Sequence, residues 1–146
     1  MRAVATGLIL STALAGTAFA EEIKIKPGMW ETETKITMSF VMNGQPLSVP
    51  GQTHSDKSCK KADDAKFDPA DLAQEDCTAS DIKATDTTLS FKMVCSTQGG
   101  DVSGTFDFKL NDARDAGTGD MKMTGSAGGG TMTLVGKTTA KRVSDC

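Results

Sequence analysis

From Trp30 the chain alternates over a dozen residues, with Trp30, Thr32, Thr34, Ile36, Met38, Phe40 and Met42 on one parity and Glu31, Glu33, Lys35, Thr37 and Ser39 on the other. A period of two held over that length belongs to a strand with one packed and one wetted face, and it restricts the chain to a one-sided antiparallel sheet. Asn43-Gly44 ends the run with two residues that tolerate the positive φ of a type I′ turn. A two-residue loop there sets Phe40 against Leu47 and Met38 against Val49, which keeps the apolar set together. Pro46 and Pro50 cannot donate to a ladder, so the second strand is expected at a sheet edge or bulged.

The same grammar governs the rest of the chain. Leu89, Phe91, Met93 and Cys95 share a face, and a turn at Gln98-Gly99 puts Phe91 opposite Phe106 and Leu89 opposite Phe108. After a loop from Asn111 to Ala116, Gly119 comes to face Phe108 and Met123 to face Gly104, large against small. Glycines at 128–130 mark the last turn, and Met132, Leu134, Gly136, Thr138 and Ala140 carry the inner face of the closing strand. Only Cys59 to Cys77 breaks the pattern. There Ser58 is placed to cap a helical turn over Lys61 to Lys66, and Asp68-Pro69 to open a second short helix. The expectation is an all-β fold of about seven antiparallel strands in up-and-down order, a curved sheet or small barrel with a short helical insertion.

Residues 1–20 read as a cleaved signal peptide: Arg2 is the basic head, Ala3 to Ala15 the apolar segment, and Ala18-Phe19-Ala20 the cleavage site. An apolar run of about 13 residues is shorter than the ~20 that a bilayer requires, and no cysteine follows the cut to carry a lipid. Residues 21–146 are then a single exported β domain, periplasmic or secreted, with no later segment apolar enough to span. The formal net charge of −3 gives no basic stripe for nucleic acid. Cys59, Cys77, Cys95 and Cys146 all lie in the exported part and read as two disulfides. If Ile82 faces Leu89, Cys77 is turned to the face away from Cys95, which favours Cys59–Cys77 with Cys95–Cys146. A one-residue bulge reverses that inference.

Several short features recur in order: Pro27-Gly28-Met29-Trp30-Glu31 soon after the signal peptide, Cys59 ahead of an acidic segment, Asp76-Cys77, and the strand-ending Cys95. Met121-Lys122-Met123-Thr124, Thr131-Met132-Thr133 and Asp145-Cys146 complete the set. Together they resemble the bacterial exported family called domain of unknown function 3617. Met29 and Lys60 stand where that family usually has leucine. The resemblance implies an exported, disulfide-containing β protein and transfers no catalytic residue.

No constellation specifies a reaction. His54 is the sole imidazole, and its neighbours Ser55 and Asp56 alternate across a strand instead of converging with it. Asp107 and Asp120 lie on the wetted face, away from any pocket that would exclude water. The acids Asp63, Asp64, Asp68, Asp71, Glu75 and Asp76 lack the spacing of a calcium loop, and Gly128-Gly129-Gly130 lacks the lysine and helix of a phosphate loop. The chain is therefore expected to be non-enzymatic, to need no cofactor, and to bind an envelope protein or a small apolar ligand or else to serve a structural role. Trp30, Phe40, Phe106 and Phe108 are the candidate cavity lining, with Thr32, Thr34 and Thr138 as polar groups inside it. Met121, Met123 and Met132 are thioethers suited to Cu(I), though methionines beside glycines equally fill an irregular core. A protein partner would use the acidic segment between Cys59 and Cys77 or the edge from Leu47 to Thr53.

Overall fold

A computed structural model describes residues 22–69 and 76–146; the expected signal peptide and residues 70–75 lie outside it. Among the described residues nine strands form: β1 (Ile23–Lys24), β2 (Gly28–Met42), β3 (Gln45–Lys60), β4 (Lys66–Phe67), β5 (Cys77–Ala84), β6 (Thr88–Thr97), β7 (Gly100–Leu110), β8 (Ala116–Ala127) and β9 (Gly130–Ser144). Seven of them make one antiparallel sheet in the order β3-β2-β9-β8-β7-β6-β5. The chain thus runs as a meander from β5 to β9, and the first hairpin docks onto its last strand. β3 and β5, consecutive strands of the large sheet, become its two edges, so the sheet is open and the closed-barrel alternative is set aside.

Where turn chemistry and apolar pattern agree, the register is the expected one. Asn43 and Gly44 both have positive φ, at 51° and 76°, and they place Phe40 opposite Leu47 and Met38 opposite Val49. Phe91 faces Phe106, Leu89 faces Phe108, Phe108 faces Gly119, and Met123 faces Gly104. The glycines make this layer possible. A Cβ on Gly104 would stand 1.9 Å from the Lys122 carbonyl oxygen, and one on Gly117 would stand 2.5 Å from Cζ of Phe108. β3 is both an edge and bulged: its register slips between Gln52 and Val49, beside Pro50-Gly51.

The β5–β6 hairpin departs from expectation. Ser80 pairs with Lys92 but Lys83 pairs with Ser90, so one extra residue is inserted in β5, and Asp81 takes a φ of 51° within it. Ala84, not Ile82, faces Leu89, and Cys77 stands directly opposite Cys95. The disulfides are accordingly Cys77–Cys95 and Cys59–Cys146, which corrects the favoured pairing of Cys59–Cys77 and Cys95–Cys146. The reason is the bulge, which flips side-chain parity midway along the strand.

The segment from Lys61 to Lys66 is also a correction. It forms a turn closed by Asp64 N–H to the Lys61 carbonyl and then strand β4, with no helix; the helix expected after Pro69 falls on residues outside those described. β4 pairs with β1, Ile23 opposite Phe67, and this two-stranded strap packs over the sheet. Phe67 inserts between Trp30 and Phe108 at centroid distances of 5.7 and 4.9 Å, both edge-to-face. Ile23 and Ile25 join Trp30, Leu89, Phe91, Phe106, Phe108 and Leu110 in the core.

Candidate functional site

The Pro27-Gly28-Met29-Trp30 turn anchors the chain where the core begins. Trp30 is 1% exposed and donates from Nε1 to the Lys26 carbonyl at 2.8 Å. Arg142 Nε donates to the Pro27 carbonyl at 2.6 Å, and the approach requires Gly28, whose φ is 142° and whose Cβ would meet Arg142 Nε at 2.4 Å. Arg142 also pairs with Asp145, and Cys146 beyond it bonds Cys59. The turn therefore ties the start of β2 to the end of β9.

Of the candidate cavity residues, the structure brings Phe106 and Phe108 together, their rings nearly parallel and their centroids 6.4 Å apart. With Thr32, Phe67, Leu89, Thr138 and Ala140 they line a small apolar pocket of about 50 Å³. Trp30 is packed in the core, and Phe40 lies near the other end of β2. A pocket for an organic ligand holds roughly 300–1,000 Å³, so this void admits a water or two and no ligand of that kind. Thr34 and Thr138 satisfy each other through their hydroxyls at 3.0 Å.

On the inner face the buried core residues lie beneath the strap and along β6, β7 and β8, where Phe91, Met93, Val102, Phe106 and Met123 continue past the level of the Thr34–Thr138 pair. On the β2–β3 side of the sheet Ile36, Met38 and Phe40 of β2 pair with Gly136, Leu134 and Met132 of β9, and Leu47 and Val49 of β3 extend the row. No residue of β3, and none of β2 beyond Trp30, is fully buried. Met132 and Leu134 touch the edge of the core, whereas Ile36, Met38, Phe40 and Val49 are half-buried and Leu47 is 53% exposed. This half of the sheet presents a contiguous apolar surface that no core residue covers.

The methionines do come together on that inner face. Met123 is buried, Met121 and Met132 pack against the core, and Met121 Cε occupies the space beside Gly136, 2.9 Å from where a Cβ would be. The Met121 thioether thus fills room left by a glycine. Among the described residues no cluster of three His, Cys, Asp or Glu side chains could hold a metal ion.

His54 sits exposed on β3, opposite Thr34, and Asp107 faces Asp120 on the exposed outer side. The shifted titrations among the described residues belong to surface ion pairs. Asp81 accepts a hydrogen bond from Lys92 at 2.7 Å across the bulge, which holds the carboxyl below its ordinary value of 3.8 and raises the ammonium. Lys66 is raised chiefly by its hydrogen bond to Glu22 at 2.7 Å, which fastens β4 to the N-terminal segment. Two open depressions of about 390 Å³ flank these elements, one over the bulge and one beside Arg114, both lined largely by charged and hydroxyl groups. The strap was missed in sequence, and the bulge stood there only as the condition that would reverse the cysteine pairing. The bulge left a signal in β5, where Cys77 and Ala79 are inward on odd positions and Ile82 and Ala84 on even ones.

These features define a class: an open antiparallel sheet, strapped at one end, stapled by two disulfides and apolar on the uncovered half of its inner face. The chain belongs to the family described as Protein of unknown function (DUF3617), whose model matches residues 25–146. No curated protein and no solved structure matches it.

Proposed function

We propose that this chain is a non-enzymatic binding domain of the cell envelope, exported by a signal peptide at residues 1–20, whose occupant lies along the uncovered half of the inner face. One observation carries this reading: Ile36, Met38, Phe40, Leu47 and Val49 form an apolar row left outside the buried core. An exposed patch of this kind marks an interaction surface in a folded protein. Two disulfides fit an oxidising compartment, and among the described residues no helix is long and apolar enough to cross a membrane. Absence of catalysis is supported by the exposure of His54, Asp107 and Asp120, none of which enters a water-excluding pocket.

The test is native mass spectrometry of protein recovered from the soluble exported fraction, without denaturation. A reproducible extra mass on the wild type that Met38→Asp abolishes, at an unchanged melting temperature, is the expected result. A bare mass in both proteins would remove the bound occupant, and a mass retained by Met38→Asp would move it off this face.

A further inference from the structure

At one end of the sheet the Asn43-Gly44 and Gly128-Gly129 turns lie side by side, since Val41 pairs with Thr131 at the head of β9. This corner carries no ionic group on either face. Ile36 to Ser55 contains no Asp, Glu, Lys or Arg, and neither does Met123 to Gly136. The nearest charge on these hairpins is Lys122 of β8, opposite Val135, and two residues further back Lys35 and Lys137 pair with each other across β2 and β9. At ~3.3 Å per residue Lys122 lies roughly 20 Å back from the Gly128 turn and Lys35 roughly 25 Å back from the Asn43 turn. Within the corner Leu47 is 53%, Val41 45% and Met42 40% exposed, on both sides of the hairpin, and Val135 on the outer face is 40% exposed. Thr37, Ser39, Thr131 and Thr133 supply the remaining outer positions. Pro46 and Pro50 remove two backbone donors from the edge of β3 at this same end.

We propose that this corner docks on a lipid bilayer surface, inserting Val41, Met42 and Leu47 to the depth of the acyl boundary. The inference goes beyond an occupant of the inner face, because that needs one apolar face only. A second copy would need the inner face or the β3 edge alone. Loss of charge from both faces and from two adjacent turns suits a medium that surrounds the tip, and an insertion of roughly 5–10 Å brings no charge out of water. The proline-bearing edge leaves fewer donors unpaired in that layer. Asp76 and Asp101 stand at this end on the β5–β7 side, so the molecule leans with β2, β3 and β9 toward the lipid. The acidic chain has no basic stripe, and binding is accordingly apolar, indifferent to salt and to anionic lipid.

The test is flotation with vesicles of pure phosphatidylcholine, and of phosphatidylcholine with phosphatidylglycerol at 3:1, using protein from the soluble exported fraction whose intact mass fixes its N-terminus. The wild type floats equally with both vesicles and at low and high salt. Met42→Glu with Leu47→Glu, both at exposed positions, lowers partition about tenfold or more while the melting temperature is kept. Wild type that stays at the bottom of both gradients overturns the proposal, and so does flotation unchanged in the double variant. A wild-type dimer that the two substitutions dissociate, with no flotation, would assign the corner to a contact between copies instead.

Discussion

Removing the two disulfides separately gives unequal losses that follow from where they sit. Cys59–Cys146 closes a loop of 87 residues and Cys77–Cys95 a loop of 18. Closing n residues takes about 2.1 + 1.5R ln n cal/mol/K from the unfolded chain, which gives about 4.6 kcal/mol for the long loop and about 3.2 kcal/mol for the short one at 25 °C. Cys77 and Cys95 also pack against the core, so alanine there adds roughly 0.5 kcal/mol of lost burial and narrows the gap to about 1 kcal/mol. Urea unfolding of Cys59→Ala/Cys146→Ala and of Cys77→Ala/Cys95→Ala, followed by far-ultraviolet dichroism, measures both losses. The long-loop variant should lose more stability and also show the larger rise in m, because its unfolded chain expands more. With all four cysteines replaced, the summed loss of roughly 8 kcal/mol approaches the whole stability of a small domain. An equal or larger loss from the short loop, or an m-value unmoved by opening the long one, would refute the loop-entropy reasoning. The pairing is checked beforehand by non-reducing tryptic digestion, since each cysteine falls in its own peptide. Peptide 58–60 should be linked to 143–146, and 67–83 to 93–109.

Glycine-to-alanine substitutions should rank by what the new methyl meets. Gly104→Ala, 1.9 Å from a backbone oxygen, should cost about 3 kcal/mol; Gly119→Ala, 3.1 Å from the movable Phe108 ring, about 1 kcal/mol. Melting temperatures that reverse the order would contradict the packed layer. Phe67→Ala removes the wedge between Trp30 and Phe108 and should cost about 3 kcal/mol, with Trp30 fluorescence shifting to the red as water enters; an unshifted spectrum would mean the strap does not cover the core. Asp81 has a depressed folded value, so its contribution is present above its ordinary 3.8 and is lost as pH falls through the lower folded value. Lys92 is raised, so its contribution is present below 10.5 and is lost as pH rises through the higher folded value. Carboxyl NMR should therefore place the Asp81 midpoint below 3.8, and Lys92→Gln should move it upward; a midpoint that stays put would exclude the pair as its cause.

Much of this sheet was legible because three constraints coincided along β2, β6, β7, β8 and β9: alternation, two-residue turns and large-against-small pairing. Any one-residue slip would have turned Phe91, Phe106 and Phe108 outward, so the register had a single solution. The strap was not legible for the opposite reason. β1 and β4 are two residues each, too short for a period to declare itself, and Ile23 and Ile25 become core only because Phe67 arrives from far along the chain. Two of the four cavity candidates, Phe106 and Phe108, do meet at a void. Placing all four in one lining presumed closure, and on the open sheet Phe40 ends up about ten residues along β2 from Trp30.

Whether the sheet closes was decided at its edges. A barrel would require β3 to pair with β5, yet β3 carries two prolines and a bulge, and β5 is bulged at Asp81. Each bulge breaks a ladder at the point where an incoming strand would have to match it. The same bulge in β5 turns Cys77 toward Cys95, which frees Cys59 to reach past β2 to Cys146 beyond β9. One inserted residue at Asp81 thus sets the cysteine pairing and spoils one edge for closure. The openness it helps maintain leaves Ile36, Met38 and Phe40 accessible to an occupant.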